Sequence, residues 1–235
     1  MRATFIRHEQ LTDTITSFSF KPEQHFSYTA GQFIELTLLG HEEHGQPAKR
    51  WFTLSSSPHE ELLTITTRVG AHTAHTAFKR ALENLESGAE VDFSEPMGDF
   101  VLPKIIQTPL VFIAGGIGIT PFHSILEWLV STDEQRNIRL LYGVRTEDDI
   151  IFQDTFAAAK QHATIVVEEP SAAWGGERGR LNAEMILGLE QPNSGTLYYI
   201  SGPEPFVQVL QQDLKEQGVS GQNIVVDEFQ GYTGV

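Results

Sequence analysis

The 235-residue sequence contains no cysteine. That absence excludes disulfides, thiolate zinc sites, iron–sulfur clusters and cysteine nucleophiles from this sequence. Basic residues are scarce as well: 16 Lys and Arg stand against 31 Asp and Glu, for a formal net charge of −15. Such an excess of negative charge argues against nucleic acid or an anionic membrane surface as the main partner. No apolar run approaches the length of a membrane span, and the opening residues MRATFIRHEQ are charged where a signal peptide is apolar. A cytoplasmic protein is expected.

What is present suits a packed core: 40% hydrophobic residues, with 15 Phe and 20 Gly. The first hundred residues alternate apolar and polar positions in short runs, at 14–20 (TITSFSF), 32–38 (QFIELTL), 51–55 (WFTLS), 62–67 (LLTITT) and 89–93 (AEVDF). This is the period of antiparallel strands, and about six of them suggest a small barrel or sandwich. One helix interrupts them, over residues 73–85, with Phe78, Leu82 and Leu85 on one face. After Pro103 the rhythm changes to short, nearly all-apolar strands at 109–114, 138–143, 164–168, 197–201 and 223–226. Helical patterns lie between them at 121–130, 151–161, 183–188 and 204–217, which implies βαβ units on a parallel sheet. Residues 98–108 link the halves, and the expected domains are 1–103 and 104–235.

Two segments carry chemistry. Gly115-Gly116-Ile117-Gly118-Ile119-Thr120-Pro121 follows the apolar strand PLVFIA. Glycines let a backbone approach a pyrophosphate, and Pro121 suits the first turn of a helix whose N-terminus favours anions. Taken alone, the loop also reads as a tight strand-to-helix turn with no ligand. The second segment is Arg50-Trp51-Phe52-Thr53-Leu54-Ser55-Ser56-Ser57. Alternation puts Arg50, Phe52 and Leu54 on one face and Trp51, Thr53 and Ser55 on the other. Such a strand offers a phosphate partner, a ring-stacking surface and hydroxyls, or, taken alone, a core strand with one surface Arg. His41-Glu42-Glu43-His44 reads as a solvated turn, and the pair His72 and His75 lacks a third ligand, so no metal site is expected. Trp128 and Trp174 read as packing residues.

Together these segments resemble the ferredoxin–NADP reductase superfamily in its bacterial, cluster-free, single-chain form. Arg50–Ser56 matches R-x-[FY]-[ST]-x-x-S, and Gly115–Pro121 matches G-G-x-G-x-[ST]-P. Gly31-Gln32-Phe33, Pro96-Met97-Gly98-Asp99-Phe100, Ser201-Gly202-Pro203 and Glu228-Phe229-Gln230-Gly231-Tyr232 are similar to further family motifs in the family's order. The resemblance implies two domains: an N-terminal antiparallel β-barrel (Greek key) binding FAD, and a C-terminal α/β parallel-sheet domain binding NAD(P)H. It implies that Arg50 pairs with the flavin phosphate, that Trp51, Phe52 and Thr66 line the flavin, and that Thr53 hydrogen-bonds near flavin N5. Arg68 and the backbone at Thr76, Ala77 and Phe78 would complete the phosphate cradle. Gly116, Gly118 and Thr120 would face the nicotinamide nucleotide, with Arg145, Arg178 and Arg180 as candidates for a 2′-phosphate. Ser201 would stand by the nicotinamide ring, Glu228 behind it as a proton relay, and Phe229, or else Tyr232, would cover the flavin. Glu168 and Glu169 would repel a 2′-phosphate and tilt the choice toward NADH.

The function so implied is an FAD-dependent NAD(P)H oxidoreductase serving an external carrier such as a ferredoxin or flavodoxin, or a small-molecule acceptor. Two alternatives stand beside it: a flavin reductase using free flavin as substrate, and a non-catalytic electron-relay subunit.

Overall fold

The computed structural model describes residues 1–69, 76–160, 163–189 and 195–229. Within them the chain forms two six-stranded sheets. The first contains β1 (Arg2–Gln10), β2 (Ile15–Pro22), β3 (Phe33–Glu43), β4 (Gln46–Thr53), β5 (Leu63–Arg68) and β6 (Glu90–Phe93), with the short helix α1 (Ala77–Glu83) inserted before β6. Its pairings are antiparallel in the order β4-β3-β6-β1-β2-β5. A bridge between Leu54 and Ile65 brings the two edge strands together, so the sheet curls into the expected barrel. Phe5, Phe18, Phe20, Ile34, Leu36, Ile65 and Phe93 fill its interior together with Phe78 and Leu82 of α1.

The second sheet contains β7 (Leu110–Gly115), β8 (Ile138–Val144), β9 (Ala163–Val167), β10 (Glu177–Arg178), β11 (Leu197–Pro203) and β12 (Ile224–Phe229). It is parallel throughout, in the order β10-β9-β8-β7-β11-β12. Its central strands β7 and β8 are buried on both faces, as their unbroken apolar runs require. On one face Phe112, Leu140 and Tyr142 pack against α2 (Thr120–Thr132) and α3 (Gln153–Ala158). On the other Val111, Ile113 and Leu141 pack against α4 (Ala183–Leu189) and α5 (Glu204–Glu216). Among the described residues no helix is long and apolar enough to cross a membrane.

Three local features depart from the sequence pattern. β1 was not expected, because a register shift between Phe5 and Arg7 breaks its alternation after Ala3 and Phe5. The stretch from His41 to Glu43 is strand, not solvated turn: β3 and β4 run on until only His44 and Gly45 remain between them. Those two residues have φ of 53° and 74°, as a two-residue hairpin turn needs. β10 was also not expected; its two residues add a strand at the edge beyond β9.

The sheets meet along a seam of aromatic and hydrogen-bonded contacts. Phe100, from the linking segment, packs edge-on against Phe122 at 5.4 Å and Tyr199 at 5.1 Å. Ser124 on α2 donates to the carbonyl of Ser56 at 2.6 Å, and the Tyr28 hydroxyl donates to the same carbonyl at 2.8 Å. Gly31 closes the seam: at φ 99°, a Cβ there would lie 2.0 Å from the Phe100 carbonyl oxygen. Gly31→Ala combines left-handed backbone strain with a backbone clash and is expected to destabilise by roughly 3 kcal/mol. A melting-temperature drop of roughly 6–12 °C in differential scanning calorimetry is the expected reading, and an unchanged value would contradict the seam described here.

Candidate functional site

The order of the parallel sheet reverses between β7 and β11, and in such sheets ligands bind beyond the carboxyl ends of the strands at that reversal. Here the loop after β7 is a single 3₁₀ turn, Gly116–Ile119, leading into α2. Gly116 sits at φ 54° beside the Arg68 guanidinium, 3.4 Å from where its Cβ would be. Gly118 is pressed onto the neighbouring strand end, where a Cβ would lie 2.2 Å from the Ser201 carbonyl oxygen. Thr120 is buried, and its hydroxyl donates to the Ile117 carbonyl at 3.1 Å. The loop's glycines therefore have a packing role, independent of any ligand.

At this reversal three polar side chains from three strands converge. Ser201, fully buried on β11, lies directly opposite Asp227 on β12 in the parallel register. Its hydroxyl donates to Asp227 Oδ2 at 3.4 Å, and Thr53, at the end of β4, donates to the same oxygen at 3.5 Å. These are long bonds, yet they join the barrel to the parallel sheet through one carboxylate. Burial pushes the Asp227 carboxyl up to about 6, against the two hydroxyl donors, which act to lower it, and with the nearby Glu228 charge adding to the rise. A carboxyl in this range holds or releases a proton near neutral pH.

The resemblance implies a proton relay at Glu228, whereas the carboxylate that meets Ser201 and Thr53 is Asp227. Successive residues of a strand face opposite ways, and with Asp227 turned toward Ser201 and Thr53, Glu228 is exposed. The sequence signal was the acidic pair itself; only the register of β12 against β11 decides which member is inside. Phe229 closes β12, but its side chain, like Tyr232, His72 and His75, lies outside the described residues.

The expected phosphate cradle is assembled only in part. Arg50 lies with its guanidinium 5.3 Å from the Phe78 ring centroid, and Phe52 packs on the same ring at 5.8 Å. Thr76 caps α1, accepting from the Lys79 N–H at 3.3 Å, so its hydroxyl serves the helix. Glu43, from the hairpin tip, bonds Arg50 Nη2 at 2.6 Å and accepts the Phe78 N–H at 3.0 Å. Arg68 does not turn to the cradle. Its guanidinium donates to Asp149 Oδ1 at 2.8 Å and to the Thr14 hydroxyl at 3.2 Å, an ion pair between the end of β5 and the segment after β8. Thr66 shares buried hydrogen bonds of 2.8 Å with the Ser17 and Ser55 hydroxyls. Trp51 is 55% exposed, and its indole N–H donates to Glu35 at 3.1 Å.

The remaining basic candidates are engaged at the end of β9. Arg145 pairs with Glu169 at 3.2 Å and Arg180 with Glu168 at 2.6 Å, while Arg178 donates to the carbonyls of Ser171 and Trp174. Trp174 donates to the Glu177 carbonyl and, with Trp128, packs against the core. A cavity of about 580 Å³ is lined by Ser17, Ser55, Thr66, His123 and Thr155 among others, and its lining includes none of Arg50, Thr53, Ser201 and Asp227. Burial lowers His123 in its wall to about 4, leaving the ring neutral.

Residues 112–212 match the family model for an oxidoreductase NAD-binding domain. The chain is similar to the NADH oxidoreductase HCR of Escherichia coli, at 28% identity over 90% of this chain and 63% of that protein. It is equally similar, at 28%, to a glycine betaine monooxygenase reductase subunit of Chromohalobacter salexigens, over 89% of this chain and 58% of that one. The chain thus spans less than two thirds of the length of these relatives. Among solved structures, a ferredoxin NADP⁺ reductase from Neisseria gonorrhoeae with bound FAD and NADP superposes with a TM-score of 0.81. That match covers 99% of this chain and 98% of the other at 19% identity, which shows a shared fold.

The raised Asp227 carboxyl has a consequence for stability. Its folded value, about 6, exceeds the ordinary 3.8, so the folded state binds more protons between those values. The stabilisation is complete below about pH 4 and is lost as pH rises through about 6. Urea unfolding across that range should show this loss in the parent protein and not in Asp227→Asn; identical pH profiles would show that Asp227 is not buried as described.

Proposed function

We propose that the chain is a member of the ferredoxin–NADP reductase superfamily and an FAD-dependent NAD(P)H oxidoreductase delivering electrons to an external carrier. The reading divides the chain into a flavin domain, 1–103, and a nicotinamide-nucleotide domain, 104–235, in a cytoplasmic protein. The observation that carries it is the convergence of Thr53, Ser201 and Asp227 where the barrel meets the reversal point of the parallel sheet.

The residues present fit a flavin. Arg50, a guanidinium only 17% exposed, suits a phosphate, and Phe52 and Trp51 offer aromatic surface on either side of β4. A bound flavin supplies acceptance of a hydride from nicotinamide and release of electrons singly. The chain's own part is to orient and to manage protons. Thr53 and Ser201 fix the Asp227 carboxylate at the junction, and Asp227, poised near neutrality, takes up or gives a proton there. Gly116 and Gly118 keep the floor of the site low, so a nicotinamide nucleotide has backbone rather than side chain beneath it.

The paired Arg145–Glu169 and Arg180–Glu168 leave carboxylates where a 2′-phosphate would need uncompensated cations, which favours NADH. Relatives described as monooxygenase reductase subunits support an external protein acceptor, and this sequence has no cysteine for a cluster of its own. One observation favours a second reading, a flavin reductase with freely exchanging flavin: the Arg50 guanidinium is already engaged by Glu43.

Arg50→Ala should lower FAD content strongly in the folded protein, since charge-assisted bonds to phosphate are among the strongest polar contacts. Full occupancy in that variant would remove Arg50 from the site. With an artificial acceptor, kcat/KM for NADH should exceed that for NADPH by on the order of tenfold, about 1.4 kcal/mol of discrimination. A preference for NADPH would reverse the nucleotide assignment. Asp227→Asn should slow reduction by NADH and flatten the pH dependence near 6, whereas Glu228→Gln should do neither.

A further inference from the structure

Arg50 is the residue assigned above to the flavin phosphate, and its neighbourhood already contains an anion. The hairpin between β3 and β4 turns on His44 and Gly45, and a register shift between Leu38 and Glu42 bends its tip over the start of α1. That bend delivers Glu43 to the cradle. One carboxylate oxygen sits 2.6 Å from Arg50 Nη2 and the other accepts the Phe78 N–H at 3.0 Å. The side chains of Arg50 and Glu43 are only 17% and 19% exposed, so the pair is shielded from the screening that weakens surface ion pairs.

A flavin phosphate at Arg50 needs the same guanidinium edge and the same backbone donor. Two anions cannot share them without mutual repulsion in a partly buried place. Binding of a phosphate-bearing flavin therefore requires the Glu43 carboxylate to leave, and the short hairpin tip that carries it opens toward solvent through Gly45 and Gln46. Conversely, when the phosphate departs, Glu43 again supplies an anion to Arg50, whose Nη1 donates to the Lys49 carbonyl at 2.7 Å.

We propose that Glu43 is an internal competitor for the flavin phosphate, a specificity-determining residue that makes phosphate-bearing flavins exchangeable. The proposal rests on the reading that Arg50 belongs to the flavin site. Its consequence is selective: Glu43 opposes FAD and FMN, which carry phosphate, and is indifferent to riboflavin, which does not. The discrimination between flavins is thereby smaller than Arg50 alone would impose.

The test is an equilibrium titration of the full chain with FAD, FMN and riboflavin, followed by quenching of flavin fluorescence, for the parent protein and Glu43→Gln. Gln keeps an oxygen for the Phe78 N–H and removes only the charge. FAD and FMN should bind about tenfold tighter to the variant, the scale of one charge-assisted hydrogen bond, with riboflavin unchanged. Weaker or unchanged FAD binding would overturn the proposal, showing that Glu43 orients Arg50 or is irrelevant to it. Equal tightening of all three flavins would also overturn it, since the effect would not pass through phosphate. Glu43→Ser, which removes the charge with a smaller side chain, gives the same comparison if the Gln variant fails to fold. Failure of the underlying reading looks different: none of the three flavins would bind the parent protein, and the proposal would fall with it.

Discussion

The approach of Gly118 to the Ser201 carbonyl is the contact on which the site depends. With 2.2 Å between that oxygen and a would-be Cβ, only glycine lets the loop after β7 lie flat on the end of β11. The flat loop starts α2 at Thr120, and α2 then carries Phe122 and Ser124 to Phe100 and the Ser56 carbonyl across the seam. The seam in turn holds the barrel close enough for Thr53 to reach Asp227. A side chain at position 118 would act on all of these together. Loss of nucleotide binding in a Gly118 variant is therefore not by itself a sign that the glycine touches a ligand.

A chain of charge −15 has few cations to place. Several of them are paired with carboxylates. Arg50 is held by Glu43, Arg68 by Asp149, Arg145 by Glu169 and Arg180 by Glu168. Two of these pairs are exposed at the end of β9 and are worth little in stability. The other two lie at the edges of the site and differ in kind. Arg68–Asp149 joins β5 to the loop after β8 and so belongs to the architecture, with Gly116 beside it. Arg50–Glu43 sits within one hairpin, and breaking it leaves the sheet ladder intact.

Much of the fold was legible because the two halves bury their sheets differently. The barrel strands have one wet face and show period two, while the central parallel strands are buried on both faces and show apolar runs. β1 was illegible for the same reason in reverse: its bulge at Phe5 and Arg7 erases the period that reveals a strand. The loop 115–121 and the strand 50–56 were legible as motifs, since glycine, proline and a lone Arg among aromatics stand out locally. The partners of those residues were not. Glu43 is seven residues from Arg50 in sequence, and its role follows from a bulge and a two-residue turn that no local pattern announces. Arg68 resembled a phosphate ligand by position in the motif, and only the packing of the second sheet supplied Asp149 as its partner.

Asp227 and Glu228 differ in which side of β12 they occupy, and nothing local in the sequence decides it. Both residues are carboxylates, both are adjacent to the last apolar strand, and composition cannot rank them. The parallel register settles it: Ser201 stands opposite Asp227, while Glu228 stands opposite Gly202, which has no side chain to meet it. A shift of one residue would turn the whole strand over, moving Asp227 to solvent and Glu228 to the junction. That shift is resisted from outside the site, because Ile224 packs into the cluster on the α5 side of the sheet and Val225 against the cluster on the α2 side. Which carboxylate of the pair faces the junction is thus fixed by apolar packing along the same strand.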